Sequence, residues 1–166
     1  IGDLRATAAN AANPINGINV TGSTTTNLFY NTVYLNATSS GALFGSSGIS
    51  VSTTPTVDLR NNLVVNLSTA NGAGFTVAYR RSTTTLTTYS SNSNNNSFYA
   101  GAPSATNLIY YDGTNSDQTI GAFQAVHGLE DQPAFDFAAD GKIRDVLGQG
   151  IQLRLVQLPR SEEHTS

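Results

Sequence analysis

Cysteine, methionine and tryptophan are all missing from the 166 residues. Without cysteine there is no disulfide scaffold, no Cys-ligated zinc site and no thiol nucleophile. Charge is scarce: Asp, Glu, Lys and Arg make up 11% of the chain, against about 25% in an ordinary soluble domain. Eight basic residues against eleven acidic ones give a net charge of −3. That balance excludes the basic face through which nucleic-acid binders hold phosphates. No apolar run approaches the roughly 18 residues of a membrane-spanning helix. Yet 39% of the residues are apolar, too many for a charged disordered tail.

What fills the chain instead is Asn, Ser and Thr, together a third of its length. Ile18/Val20, Val33/Leu35, Ile49/Val51, Leu63/Val65 and Phe75/Val77/Tyr79 recur at nearly even intervals, and Leu108-Ile109-Tyr110-Tyr111 follows later. Apolar and polar residues alternate in these runs, as in half-buried strands. Gly, Asn, Ser and Pro55 punctuate them as turns. Threonine suits such a surface because its branched side chain packs on the pleat.

One stretch repeats. Phe29-Tyr30-Asn31-Thr32-Val33-Tyr34-Leu35-Asn36-Ala37 aligns with Leu59-Arg60-Asn61-Asn62-Leu63-Val64-Val65-Asn66-Leu67, and a weaker copy begins at Asn96. A period near 30 with at least two strands per period predicts an all-β fold, a right-handed parallel β-helix whose coils stack on one another. The β-sandwich is the alternative, since it too is built from short, evenly spaced strands. Asparagine separates the two. Asn31, Asn61 and Asn96 fall in the inward register of this alignment. A buried amide is costly unless bonded, and stacked coils supply the partner by placing equivalent amides one strand spacing apart as an Asn ladder.

The runs Asn31–Leu35, Val57–Asn66 and Asn94–Tyr99, with Asn107–Thr114 leading into a short helix, resemble the right-handed β-helix regions of large secreted bacterial proteins, those of Bacteroidetes-type bacteria above all. The resemblance covers roughly residues 15–126. It implies an extracellular or cell-surface location and a parent chain with further coils as neighbours. Ile1 is not preceded by Met, and the chain reads as a fragment. The coils are expected over 1–115 and a helix over 116–127, capped by Ser116 or Asp117, with Phe123 on its buried side. Residues 128–159 lose the Asn/Thr texture and read as an uncertain continuation or a chimeric segment. Arg160–Ser166 resembles one reading frame of a sequencing-library adapter and is set aside from the fold.

Three kinds of chemistry are candidates. Tyr30, Tyr34 and Tyr79 could stack on sugar rings and hydrogen-bond their hydroxyls, which makes a polysaccharide or surface glycan the expected partner. Asp112, Asn115 and Asp117 offer oxygens at close spacing, but calcium takes six to eight, and a turn entering a helix uses the same residue types; no cofactor is otherwise indicated. A lyase or hydrolase needs converging carboxylates, and Asp58 is the single acid within 15–111. Asp58 reads instead as the ion-pair partner of Arg60. Serine has no acid–histidine partner there for a triad. The expected function is therefore a non-catalytic structural or binding segment. A lyase or hydrolase with its active coils elsewhere, and a calcium-stabilised adhesive repeat, are the alternatives.

Overall fold

The computed structural model describes residues 1–127 apart from Asp3, together with 135–137 and 143–145. In chain order the strands are β1 (Ala11–Val20), β2 (Thr25–Phe29), β3 (Thr32–Leu35), β4 (Phe44–Val51), β5 (Thr56–Arg60), β6 (Leu63–Asn66), β7 (Thr76–Arg81), β8 (Ser97–Tyr99), β9 (Asn107–Tyr111) and β10 (Ser116–Asp117). Helix α1 (Ile120–His127) follows, then β11 (Phe135–Phe137) and β12 (Ile143–Asp145).

Each strand of a layer pairs in parallel with its equivalent in the next. One sheet runs β1-β4-β7-β9 and ends on antiparallel β10. A second pairs β2 with β5, and a third stacks β3, β6 and β8 and continues through β11 to β12. The result is a parallel β-solenoid of about three turns. Parallel pairing through the stack excludes the sandwich, whose sheets are antiparallel. Val33 faces Val64, and Val64 in turn faces Phe98. The step from β6 to β8 is longer than that from β3 to β6 and holds the 3-10 helix Leu86–Thr88.

The inward rows are apolar and dry. Val33, Leu35, Ile49, Val51, Leu59, Val64 and Phe98 are buried, each contributing about 1.5–3 kcal/mol of apolar burial. Glycine is required where the sheets come closest. A Cβ on Gly48 would overlap the Val64 side chain and crowd the Ala78 carbonyl.

The amide ladder exists, but its middle rung is the neighbour of the asparagine that the sequence alignment selects. Asn31 Nδ2 donates to Asn62 Oδ1 at 2.9 Å, and Asn62 Nδ2 donates to Asn96 Oδ1 at 2.8 Å. The same oxygens also accept the backbone N–H groups of Asn31 and Asn62. Asn61 is not a rung: it is exposed, with φ of 54°. Tyr30 and Asn95 hold the matching corner positions at 56° and 57°. The corner residue takes up one position without alternating in or out, so a two-residue period carried through it slips by one. Phe29 accordingly faces Arg60 rather than Leu59.

The helix is shorter than expected. Ser116 and Asp117 pair with β9 instead of capping it. Thr119 is the cap, its Oγ1 accepting the Ala122 N–H at 3.2 Å, which satisfies one of the free first-turn donors. Phe123 closes the end of the stack, its ring 5.1 Å from Tyr110 and 6.3 Å from Tyr79. Apart from β11 and β12, the segment 128–159 lies outside the described residues, and so does 160–166.

Replacing Asn62 with Ala takes the shared acceptor from the Asn31 backbone N–H and from one of its side-chain amide hydrogens, and the side-chain donor from the Leu28 carbonyl. Asn62→Ala should destabilise the fold by about 3 kcal/mol or more, while Asn61→Gly, which suits a positive φ, should change stability by less than about 0.5 kcal/mol. Urea unfolding of the two variants checks this; equal losses would contradict the ladder register.

Candidate functional site: the lateral groove

The side chains available to a ligand are those that parity turns outward. Tyr34 is the outward residue of β3, with Val65 and Tyr99 beside it in register on β6 and β8. After β3 the chain turns through Asn36 and Thr38, both exposed, above the turn of the preceding layer at Arg5 and Thr7. These residues and Ala37 line an open groove of about 530 Å³. A second depression of about 270 Å³ lies further along, between Leu67–Ala70 and Ala100–Asn107. Thr69 bonds back to the Ala37 carbonyl at 2.9 Å, which places Thr38 and Thr69 one above the other. Both walls therefore repeat with the strand spacing of about 4.8 Å.

In the larger groove the chemistry is an aromatic ring, a guanidinium, two hydroxyls and an amide. Tyr34 is 44% exposed. No Asp, Glu or His lines either depression among the described residues. Such a surface can stack and hydrogen-bond a neutral ligand.

The three tyrosines expected to bind sugar are not brought together. Tyr34 is in the groove. Tyr30, 79% exposed, projects from the corner instead. Beside Tyr30, the Arg60 guanidinium lies 5.1 Å from the centre of the Phe29 ring and forms a two-pronged pair with Asp58 at 2.9 and 2.6 Å. A tyrosine with positive φ costs about 1 kcal/mol or more, and this one regains nothing by burial. Tyr79 must be removed from the candidates. It is fully buried, stacked on Phe98 at 5.9 Å with 12° between the planes. Its odd-even parity reads inward once the sheet is placed; periodicity alone does not say which face of a strand meets the core.

Around Tyr79 is an interior cluster closed off from ligands. Burial pushes the Tyr79 and Tyr110 hydroxyls up and Tyr89 up to about 12, so all three stay neutral. Arg81 is buried among them, donating to Thr85 O at 3.0 Å and to Thr88 Oγ1. Arg80 points the other way, donating to Ser47 Oγ at 2.8 Å with its guanidinium over the Tyr111 ring.

Asp112, Asn115 and Asp117 do not form an oxygen cage. Asp112 Oδ1 accepts the N–H groups of Thr114 and Asn115 at 2.9 and 2.7 Å, and Oδ2 accepts Asn115 Nδ2 and the Tyr110 hydroxyl. Burial pushes this carboxyl up, but those donors outweigh it and hold it below its ordinary value. Asn115 thus turns its amide hydrogens toward Asp112 and helps close a side-chain turn. Asp117 is the reverse case: burial, then the charge of Asp112, pushes it up, and its Oδ2 is buried with no hydrogen bond. A cation site would need both carboxylates ionised and open. No group of three His, Cys, Asp or Glu side chains converges among the described residues, and none of their helices is long and apolar enough to cross a membrane.

Arg5, Thr7, Asn36 and Thr38 were not singled out by sequence. Their signal is the period itself. The step from Thr38 to Thr69 is the step from rung Asn31 to rung Asn62, one longer than the alignment of Asn31 with Asn61 suggests, while Thr7, whose carbonyl accepts the Ser40 N–H, lies opposite Ser39. Comparison with known protein families, with characterised proteins and with solved structures finds no match for this chain.

The two acids predict opposite pH behaviour. Asp117, with its folded value raised, favours the fold at low pH and loses that contribution as pH rises through the raised value. Asp117→Asn should therefore be more stable than wild type at pH 7, the gap closing on acidification through the carboxylate range. Asp112, with its value lowered, contributes above its unfolded value and loses this as pH falls, so Asp112→Asn should be less stable at pH 7. Denaturant midpoints between pH 3 and 7 check both signs.

Proposed function

We propose that this chain is a non-catalytic structural and binding segment of an exported β-helix protein, and that its lateral groove holds neutral glycans at the cell surface or outside the cell. One observation carries the reading. Tyr34 stands exposed on the wall of an open groove whose other polar groups are a guanidinium, an amide and two hydroxyls. Sugar rings present an apolar face for stacking and a rim of hydroxyls for hydrogen bonds, and this wall offers both. Tyr30 adds a second exposed ring at the corner, held there at a conformational cost.

Location outside the cell rests on the resemblance to secreted bacterial β-helix regions and is consistent with a chain free of cysteine and poor in charge. The role assigned to the coils is to space binding groups at fixed intervals on a rigid support.

The test is retention on neutral polysaccharides in affinity gels, using β-glucan, mannan, xylan and galactan. Wild type should be retarded by at least one of them, and Tyr34→Ala should lose about 1–2 kcal/mol of that affinity, roughly 5- to 30-fold. Tyr30→Asn should keep or raise the unfolding midpoint, because Asn tolerates positive φ, while weakening retention less. Unchanged retention in Tyr34→Ala would overturn the groove assignment, and release of new reducing ends from any of the polymers would overturn the non-catalytic reading.

A further inference from the structure

The two lateral depressions lie on the same flank, one above the other. Tyr34, Asn36 and Thr38 form the near wall of the first, and residues 67–70 form the near wall of the second. These two segments belong to successive layers. Leu67 N donates to Leu35 O at 2.7 Å and Thr69 N to Ala37 O at 2.9 Å. Leu67 therefore stands opposite Asn36, and Thr69 opposite Thr38. The far wall of the first depression is the layer before this pair, at Arg5 and Thr7. The far wall of the second is the layer after it, at Ala100, Gly101, Thr106 and Asn107. The two centres are thus two strand spacings apart along the stack, about 10 Å. All four walls are supplied by this chain, so both depressions lie within the stack rather than on its end.

Their chemistry is alike. Each has one exposed apolar side chain beside an amide and two hydroxyls. In the first the apolar group is Tyr34, 44% exposed, with Asn36, Thr7 and Thr38. In the second it is Leu67, 39% exposed, with Asn107, Thr69 and Thr106. The Asn107 amide is held in place, its Nδ2 donating to Ala102 O at 3.0 Å. Glycine keeps room beside it: Gly101 has φ of 83°, and a Cβ there would come within 3.2 Å of Asn107 Nδ2. No Asp, Glu or His lines either depression among the described residues.

We infer that the two depressions are alternate subsites for one extended β-1,4-linked glycan, a glucan or mannan, lying along the stacking axis. The inference rests on the groove reading above and adds the linkage and the direction of the chain. A β-1,4-linked chain of glucose or mannose is a flat ribbon. Each ring is turned over relative to the last, so alternate rings present the same face and the same hydroxyl edge. One disaccharide of that ribbon is close in length to the two-layer step. A ring packed on Tyr34 and the ring two further on, packed on Leu67, then meet equivalent sets of groups. The ring between them crosses the exposed Asn36, Thr38 and Thr69 side chains. Chains linked α-1,4 or β-1,3 coil, and the fixed layer spacing selects against them.

The test is an NMR titration of the 166-residue chain with cello- and manno-oligosaccharides of two to six units. Malto- and laminari-oligosaccharides of the same lengths are the α-1,4 and β-1,3 comparison. In at least one β-1,4 series affinity should rise about tenfold or more between two and four units, as one chain reaches both depressions. Amides of residues 34–38 and 67–70 should then shift together, and the coiled series should gain nothing with length. Leu67→Ala should weaken the tetrasaccharide about three- to tenfold and leave the disaccharide within about twofold, whereas Tyr34→Ala should weaken both. Thr69→Ala, which removes a hydroxyl exposed on the same wall, should show the same selective loss in smaller measure. No gain from two to four units, an equal gain with maltotetraose, or wild-type tetrasaccharide binding in both Leu67→Ala and Thr69→Ala would overturn the axial assignment. If Tyr34→Ala still weakens binding in those cases, the groove reading stands without it. Absence of binding by every series at millimolar sugar would overturn both.

Discussion

A buried primary amide has to be bonded on both its donor and its acceptor side, and the rest of this molecule is arranged around that demand. Asn62 meets it between Asn31 and Asn96, with the backbone carbonyl of Leu28 accepting its second amide hydrogen and that of Leu59 accepting one from Asn96. An unbonded amide there would cost about 1–3 kcal/mol, so the layers are held at the one offset that lines the three up. In the sheet that follows the ladder, the apolar row then stacks Val33 on Val64 on Phe98. The preceding corner residue adopts a positive φ in each layer because the chain must turn and still deliver the next side chain inward.

The interior changes character along the axis. In the first layers it is aliphatic. Toward α1 it becomes aromatic, with Tyr79, Tyr89, Tyr110, Phe98 and Phe123 in mutual contact. Their hydroxyls, with Arg81 and Asp117, put polar atoms where water is excluded, and several of these make no hydrogen bond. The closing end of the solenoid is therefore the part whose stability depends most on protonation, while the ladder end depends on amide pairing, which does not titrate.

Exposed side chains are confined to the flanks by the same architecture. Backbone donors and acceptors are consumed between layers, and inward side chains by the core, so recognition falls to outward residues of the strands and to the turns. Those turns are rich in Thr, Asn and Ser and nearly free of carboxylates. A surface of that kind offers rings for stacking and neutral groups for hydrogen bonds.

Period, alternation and the inward asparagine are properties of the chain read in one dimension. They were enough to specify an all-β stack of parallel coils, the outward placement of Tyr30 and Tyr34, the pairing of Asp58 with Arg60, and a short helix near residue 120 with Phe123 buried. Rung identity was beyond them. Asn61 and Asn62 are adjacent and chemically identical, and the corner geometry alone selects the one that points inward. Tyr79 and Tyr34 both lie in alternating strands, and only the assembled fold puts one in the core and the other on a groove. Arg5, Thr7, Asn36 and Thr38 are scattered along the chain and converge because layers stack. Such features depend on which face of a strand meets the interior and on which turns are superposed, and neither is a local property of the chain.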